Sequence, residues 1–447
     1  AGRAGRRQKE SLVILLGEPF PVDQYYMRNP ELVFQPPMTK LWIEPSNELI
    51  LEAHIRCAAF EMPFSPSDSR FFGEAGWTIA QRVCFSDKAG YYQVQDTESP
   101  ALSIPIRGAR QDTYQYIDVM IGQLLEEVEI ERVYFEAYEG AVFIHQGITY
   151  ICQSVHHDMR VVYLARTQVQ YYTRPRDLTD IDPCEVWRMR TLKHNDMYAY
   201  YGRVDVIFRV WGYFKVDWRA NILDTVDIDA EPFVRPTHGV WIDVPWHIVE
   251  KLTEHDILAP AAIHAAEHAI LNLTSLFVAS SADDVRTECK ISLRELSGHK
   301  TQRLRPSRLI FYDKPGQNAG VCAQVFEHLS SLLQMALHEM ESCECTDGCP
   351  ECIEAPTCRH GNLVSSKRGA LAVLRSLLHR PLFDNEDTLP TRQSDLEALS
   401  HTLCEPEPVP RRKGTQIEHI IEEPRGEHDK RPNCMDHVGS SLFFEDV

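Results

Sequence analysis

Long apolar runs are missing from this 447-residue chain. No stretch approaches the roughly 18 residues that a membrane span needs, and the basic N-terminus is followed only by Leu12-Val13-Ile14-Leu15-Leu16. Neither a membrane partner nor a signal peptide is expected. A disulfide scaffold is missing too, because the 13 cysteines are odd in number, eight scattered singly and five clustered. That usage fits a reducing compartment, cytosol or nucleus. Nor is there a Walker A sequence ending in Gly-Lys-Ser/Thr, or an Asp-Glu-x-His box, so the chain is not expected to hydrolyse ATP alone. Positive charge is also short. A net of −19 opposes coating nucleic acid by bulk electrostatics. The acidity is uneven, however: 15 acidic and 7 basic side chains follow residue 383, against 4 acidic and 6 basic in the first forty, so a local basic groove stays compatible with the charge.

What the chain has instead is a cysteine knot. Five thiols fall within sixteen residues, Cys343 to Cys358, and the Cys349-Pro-Glu-Cys352 pair has the gap that lets one turn present both sulfurs to one ion. Zinc takes four ligands. The expected quartet is Cys345, Cys349, Cys352 and Cys358, with Cys343 in place of Cys345 as the alternative. Four thiolates leave no open position for water, so the zinc would be structural. Apolar residues at three- and four-residue steps predict helices on both sides, one from Val321 to Met340 and one from Ala370 to Leu378 after a Ser365-Ser366 cap.

Taken in order, the chain divides into four segments. Residues 1–40 open with Ala-Gly-Arg-Ala-Gly-Arg-Arg and then the Leu12 to Leu16 run, expected as a buried strand of a parallel sheet. Residues 41–100 read as a small helical unit with a terminal hairpin, a winged helix, in which Leu49, Ile50, Ala53, Cys57 and Phe60 make the apolar face. From 101 to 382 the pattern is β-rich and then helical. Strands are expected over 132–138, 142–145, 149–155, 160–164, 167–173, 203–216 and 240–246, and a helix over 259–279. Tyr171, Tyr172, Arg174 and Arg176 have the chemistry to stack bases and grip phosphates, although aromatic strands more often fill a core. Residues 383–447 read as an acidic, disordered tail.

Two short motifs compete for attention. His264-Ala-Ala-Glu267-His268 places two histidines and a glutamate on a helix in the arrangement of an inverted zinc-peptidase motif; the plainer reading is a packed helix. Gly316-Gln-Asn-Ala-Gly320 leads into a helix without a P-loop ending, and a tight turn is expected.

Several collinear stretches resemble the C-terminal half of the fungal RecQ-type repair helicases, which are similar to the bacterial mitomycin repair factor A. They are Ala1 to Arg7, Phe20-Pro-Val-Asp-Gln-Tyr-Tyr-Met-Arg-Asn-Pro30, Glu52 to Glu61, Tyr138 to Gly147, His264 to His268, Tyr312 to Gly316 and Gly348-Cys-Pro-Glu-Cys352. The resemblance implies an α+β multidomain chain: the tail of a RecA-like lobe, a winged helix, and a zinc-binding domain. It implies an ATP-dependent 3′-to-5′ DNA helicase acting on interstrand crosslinks in the nucleus, with DNA, single-stranded or forked, as partner. Arg3 and Arg6 would reach the phosphates of ATP and its Mg at the interlobe site, as arginine forks suit phosphate oxygens. The boxes of the first RecA-like lobe do not occur in this sequence, so the chain is expected to be a fragment, or a gene model that has lost its N-terminal half, with the missing RecA-like motor lobe as its partner. Two rival expectations stand beside it: a stand-alone zinc-stabilised nucleic-acid adaptor, and a metallopeptidase using His264, Glu267 and His268.

Overall fold

The computed structural model describes residues 11–34, 48–95, 99–102, 104, 113–192, 197–281, 283–288, 305–315, 320–358, 361–363, 365–383, 403–412 and 417–421. Arg3 and Arg6, and residues 316–319 of the expected tight turn, lie outside the described residues. The Leu12 to Leu16 run forms no strand, and each of its side chains is at least 53% exposed. An apolar run becomes a buried strand only where a neighbour takes up its backbone groups, and no described element does so here. Helix α1 (Pro21–Arg28) follows, with proline in its first turn, and its Tyr25 packs against the main helical core.

The winged-helix expectation is met in outline. Helices α2 (Glu48–Glu61) and α3 (Ser69–Val83) pack through Leu51, Ile55, Ala59, Ile79 and Ala80. Gly73, at φ +68°, breaks α3 near its start, a backbone state that costs glycine no Cβ clash. The wing is the hairpin β1 (Phe85–Ser86) and β2 (Tyr92–Gln93), held to the helices by two backbone hydrogen bonds of 2.8 Å between Phe64 and Tyr92.

A five-stranded sheet comes next. Strands β3 (Thr113–Asp118) and β4 (Gln123–Glu129) precede helix α4 (Ile130–Glu136) and strands β5 (Val142–His145), β6 (Ile148–His156) and β7 (Val161–Arg166), in the order β4-β3-β7-β6-β5. Residues 132–138, expected as a strand, are mostly the helix α4. Ile130, Val133 and Ala137 form a helical stripe into the sheet's core, and Arg132 pairs with Glu136 one turn on at 2.8 Å.

The larger sheet carries the zinc unit. Its long strands are β8 (Tyr172–Thr191), β9 (Tyr198–Val216), β10 (Ile222–Asp227) and β11 (Phe233–Asp243). Helices α5 (Trp246–Glu254), α6 (Ala259–Leu271) and α7 (Thr274–Phe277) follow, then strands β12 (Val285–Thr287), β13 (Arg305–Pro306) and β14 (Arg308–Asp313). Helices α8 (Val321–Ser342) and α9 (Lys367–Leu377) flank the knot, and β15 (Leu403–Cys404) and β16 (Glu418–Ile421) close the described chain. The sheet order is β12-β14-β11-β9-β8-β16, with β10 also on β9.

Both faces of this sheet are buried, as the strand alternation shows. Ala199, Tyr201, Val240, Ile242, Leu309 and Phe311 point into the helical core, while Val204, Val206, Trp241, Ile310 and Tyr312 form a second core behind it. The helices are tied down by ions as well as by apolar contact. Glu327 of α8 receives Arg188 and Arg190 of β8 at 2.6 and 2.8 Å, and Glu341 binds Arg375 of α9 at 3.1 Å.

Within the segment expected as a disordered tail, the described stretches 403–412 and 417–421 pack on the fold, and the rest lies outside the described residues. Cys404 and Leu403 pair in parallel with β13, and β16 adds in parallel to the edge of β8. Val186 donates to the Pro410 carbonyl at 3.0 Å and accepts from the Arg412 amide at 3.1 Å. An edge strand offers a row of free backbone groups, and the sparse apolar residues Leu403, Val409 and Ile417 are enough to anchor chain upon it.

Candidate metal centre

The knot begins where α8 stops. Cys343 is the C-cap of that helix, its amide bonded to the Glu339 carbonyl at 3.1 Å, so one sulfur is fixed by a 22-residue element. Cys349 then folds the second half into a turn: its carbonyl accepts from the amides of Cys352, Ile353 and Glu354 at 3.1 to 3.2 Å. Gly348, at φ +122°, leads into that turn. The positive φ favours glycine there, and a Cβ, 2.3 Å from Ile353 Cδ1, would also displace that side chain.

Four sulfurs converge as a result, those of Cys343, Cys345, Cys349 and Cys352, all within 4.8 Å of one another. Three of the gaps are 3.5, 3.5 and 3.7 Å. A tetrahedron built on Zn–S bonds of about 2.3 Å has edges of about 3.8 Å, so the spacing fits zinc with little adjustment. The electrostatics fit as well. Burial first, and then the neighbouring thiols, push Cys349 up to about 12 and raise Cys352 further. Cys345 is held below its ordinary value despite burial, by hydrogen bonds from Cys352 and Cys343 and by the charge of Lys367. Thiols this close resist ionising together until a cation joins them.

Lys367 closes the site from the other helix. It is the first residue of α9, positioned by Ser366, whose hydroxyl accepts from the Gly369 amide at 3.0 Å. Though only 2% exposed, Lys367 donates through Nζ to the carbonyls of Cys343 at 2.6 Å and Cys345 at 2.8 Å, and it lies 3.4 Å from the Cys345 sulfur. Outside the knot, Arg28 of α1 reaches Glu339 and Glu351 at 3.5 and 3.3 Å.

The sequence-based quartet needs one correction. Cys345, Cys349 and Cys352 meet as expected, but the fourth sulfur is Cys343. Cys358 lies elsewhere because the 353–358 segment runs away from the turn toward α6, where its sulfur stands 3.8 Å from His264 Nε2. Spacing alone did not separate the alternatives, since a Cys-x-Cys pair puts both thiols within reach of one ion.

The histidine motif is not a peptidase site. Helix α6 is buried on all sides, with His264 and Glu267 0% exposed and His268 1% exposed, which leaves no room for a peptide. Glu267 Oε1 accepts from the Ile310 amide of β14 at 2.8 Å, so the carboxylate serves the sheet. Burial, followed by the nearby His264 ring, lowers the pKa of His268. Arg176 is likewise spent inside: its guanidinium lies 3.5 Å from the centre of the Trp211 ring and pairs with Asp227. Arg174 remains exposed, its guanidinium 5.4 Å from the centre of the Phe214 ring, while Tyr171 and Tyr172 are half-buried.

Fold and site together define a winged helix joined to an α/β domain clamped by four thiolates. The profile of the "ATP-dependent helicase HRQ1, winged helix domain" matches residues 43–109, and that of the "MrfA Zn-binding domain" matches 266–353. The second match contains all four converging cysteines, and the metal is zinc. The chain is 39% identical over 395 residues to the ATP-dependent helicase hrq1 of Schizosaccharomyces pombe, covering 84% of this chain and 36% of that protein. It is 35% identical over 392 residues to the ATP-dependent helicase HRQ1 of Saccharomyces cerevisiae, covering 85% and 36%. A crystal structure of the DUF1998 helicase MrfA bound to DNA aligns over 83% of this chain and 48% of that one, at 21% identity and a TM-score of 0.47. This chain is an HRQ1-like helicase region bearing the HRQ1 winged helix and the MrfA-type zinc-binding domain. It spans 36% of the length of those curated relatives.

Proposed function

We propose that this region guides DNA for an ATP-dependent helicase that moves 3′ to 5′ and acts in the nucleus on interstrand crosslinks. One observation carries the reading: a winged helix and a four-thiol zinc domain occur in one chain, in the same collinear span that is 39% and 35% identical to two proteins named as ATP-dependent helicases. The substrate is single-stranded or forked DNA. Exposed Arg174 offers a phosphate contact, and the partly exposed Tyr171 and Tyr172 offer ring faces to bases, without a strongly basic surface. Zinc holds the domain's shape and takes no part in the reaction, because four thiolates close its coordination. ATP and Mg belong with a RecA-like motor lobe, to which Arg3 and Arg6 would contribute phosphate contacts.

The test is reconstitution. The chain is mixed with a separately expressed RecA-like motor region, and unwinding is measured on forks with a 3′ or a 5′ tail, with and without a crosslink. ATP-dependent unwinding restricted to the 3′ tail supports the reading. Failure to bind single-stranded DNA even at low salt refutes it, since phosphate contacts are strongest there. Binding without any gain in unwinding favours the adaptor reading.

A further inference from the structure

We propose that His264, His268 and Cys358 form a second zinc site, separate from the four-thiol centre. Two imidazoles and one thiol converge so that their ligand atoms lie within 4.8 Å of one another. The two histidines stand one helical turn apart on α6, with ring centres 4.1 Å apart, and His264 Nε2 lies 3.8 Å from the Cys358 sulfur.

The surroundings have the form of an outer shell around a metal. His268 Nδ1 lies 3.1 Å from the Ile353 carbonyl, which can only accept, so Nδ1 carries the proton and Nε2 keeps its lone pair. Cys358 accepts a hydrogen bond at 3.3 Å from the Asn362 amide, a contact that stabilises a thiolate. Asn362 in turn is fixed by paired bonds to Ala355, at 3.0 Å from the Ala355 amide and 3.1 Å to its carbonyl. Both the thiol and an imidazole are thereby oriented by backbone groups.

The donor set selects the metal. One thiolate with two neutral imidazoles suits zinc, and it does not suit calcium or magnesium, which take oxygen ligands. Three protein ligands leave the fourth position to water. Glu267, the neighbouring acid on α6, is engaged with the Ile310 amide, so this site has the ligands of a catalytic zinc without its general base; its role is to staple the 353–358 segment onto α6. Only one peptide bond separates Cys352 of the first centre from Ile353, whose carbonyl orients His268, so the two sites brace each other.

The experiment is zinc counting on the intact chain, purified without chelator, by atomic emission. Two zinc ions per chain are expected, one for each cluster. H264Q and C358S are expected to retain a single zinc, in a sulfur-only shell. One zinc in the wild-type chain, or two in both variants, overturns the proposal. Zinc X-ray absorption on the wild-type chain decides the case even if the variants unfold and lose all metal. Imidazole scattering beside sulfur supports the second site, and a shell of sulfur alone refutes it.

Discussion

Lys367 Nζ sits 2.8 Å from the carbonyl of Cys345 and 3.4 Å from its sulfur, bringing a buried cation from α9 into a site built at the end of α8. The ammonium also neutralises part of the charge that four thiolates place on the ion. Lys367→Met keeps the stem and removes the donors, so two carbonyls in the knot lose a charged partner. Hydrogen bonds to charged groups contribute about 1.5–3 kcal/mol each, and outer-shell substitutions lower metal affinity about 10- to 100-fold. Chelator competition should show that weakening, together with a lower melting temperature.

Cys343→Ser tests the corrected quartet. It removes a thiolate from the converging four, and the expectation is loss of the four-thiol zinc with unfolding of the knot. Cys358→Ser leaves that centre intact. If the two variants behaved the other way round under cobalt substitution, with the thiolate charge-transfer bands lost only in Cys358→Ser, the sequence-based quartet would be right after all.

A separate test concerns Glu267. Because Oε1 accepts the Ile310 amide, Glu267→Ala strands a buried donor in the middle of β14, at a cost of about 1–3 kcal/mol. Glu267→Gln retains an acceptor and should fall well short of that loss. Urea denaturation of both variants reads the difference. Equal destabilisation by the two would show that the carboxylate's charge, rather than its hydrogen bond, is what matters.

Strong periodicity was the part of this fold that could be read directly. The helices α8 and α9 follow from apolar spacing, the Ser366 cap from the serine pair before α9, and the wing of the small N-terminal unit from the turn residues between Phe85 and Gly90. The failures have physical causes. The Glu-rich β4 carries no strand composition, yet it pairs with β3 because the sheet, and not propensity, supplies its stability. Leu12 to Leu16 has strand composition and no partner among the described elements. For the metal centre, the cysteine cluster was visible in the sequence, but membership of the quartet depends on where α8 ends. Lys367 gave no signal at all, because a lysine at a helix start looks like a solvated one until the opposing helix is in place.

Asp118 gives an acid-side prediction. Its carboxylate is fully buried, which opposes ionisation, but hydrogen bonds from the Met120 amide at 2.8 Å and from Arg166 at 3.0 Å hold its pKa below the ordinary value. A depressed carboxylate stabilises the fold above its unfolded pKa, near 3.8, and loses that contribution as the pH falls through the folded value. Asp118→Asn should therefore lower the melting temperature at neutral pH. The gap between variant and wild type should narrow as the pH falls below that unfolded value. A gap that stays constant into acid would show that the Arg166 pair adds nothing.

The tail strands make the last case. Removing everything after residue 383 strips β16 from β8 and the Pro410–Arg412 stretch from Val186. It also removes the Arg412 guanidinium, which lies 5.2 Å from the centre of the Trp187 ring. The exposed edge then presents a run of unpaired amides and carbonyls on a long strand, the situation that drives edge-to-edge association. Light scattering and thermal melts of the truncated chain should show a lower melting temperature and concentration-dependent oligomers. A truncation that stayed monomeric with unchanged stability would mean that the tail strands merely rest on the sheet. If the prediction holds, an acidic segment that reads as disorder is part of the fold because a long sheet edge needs cover more than it needs hydrophobic content.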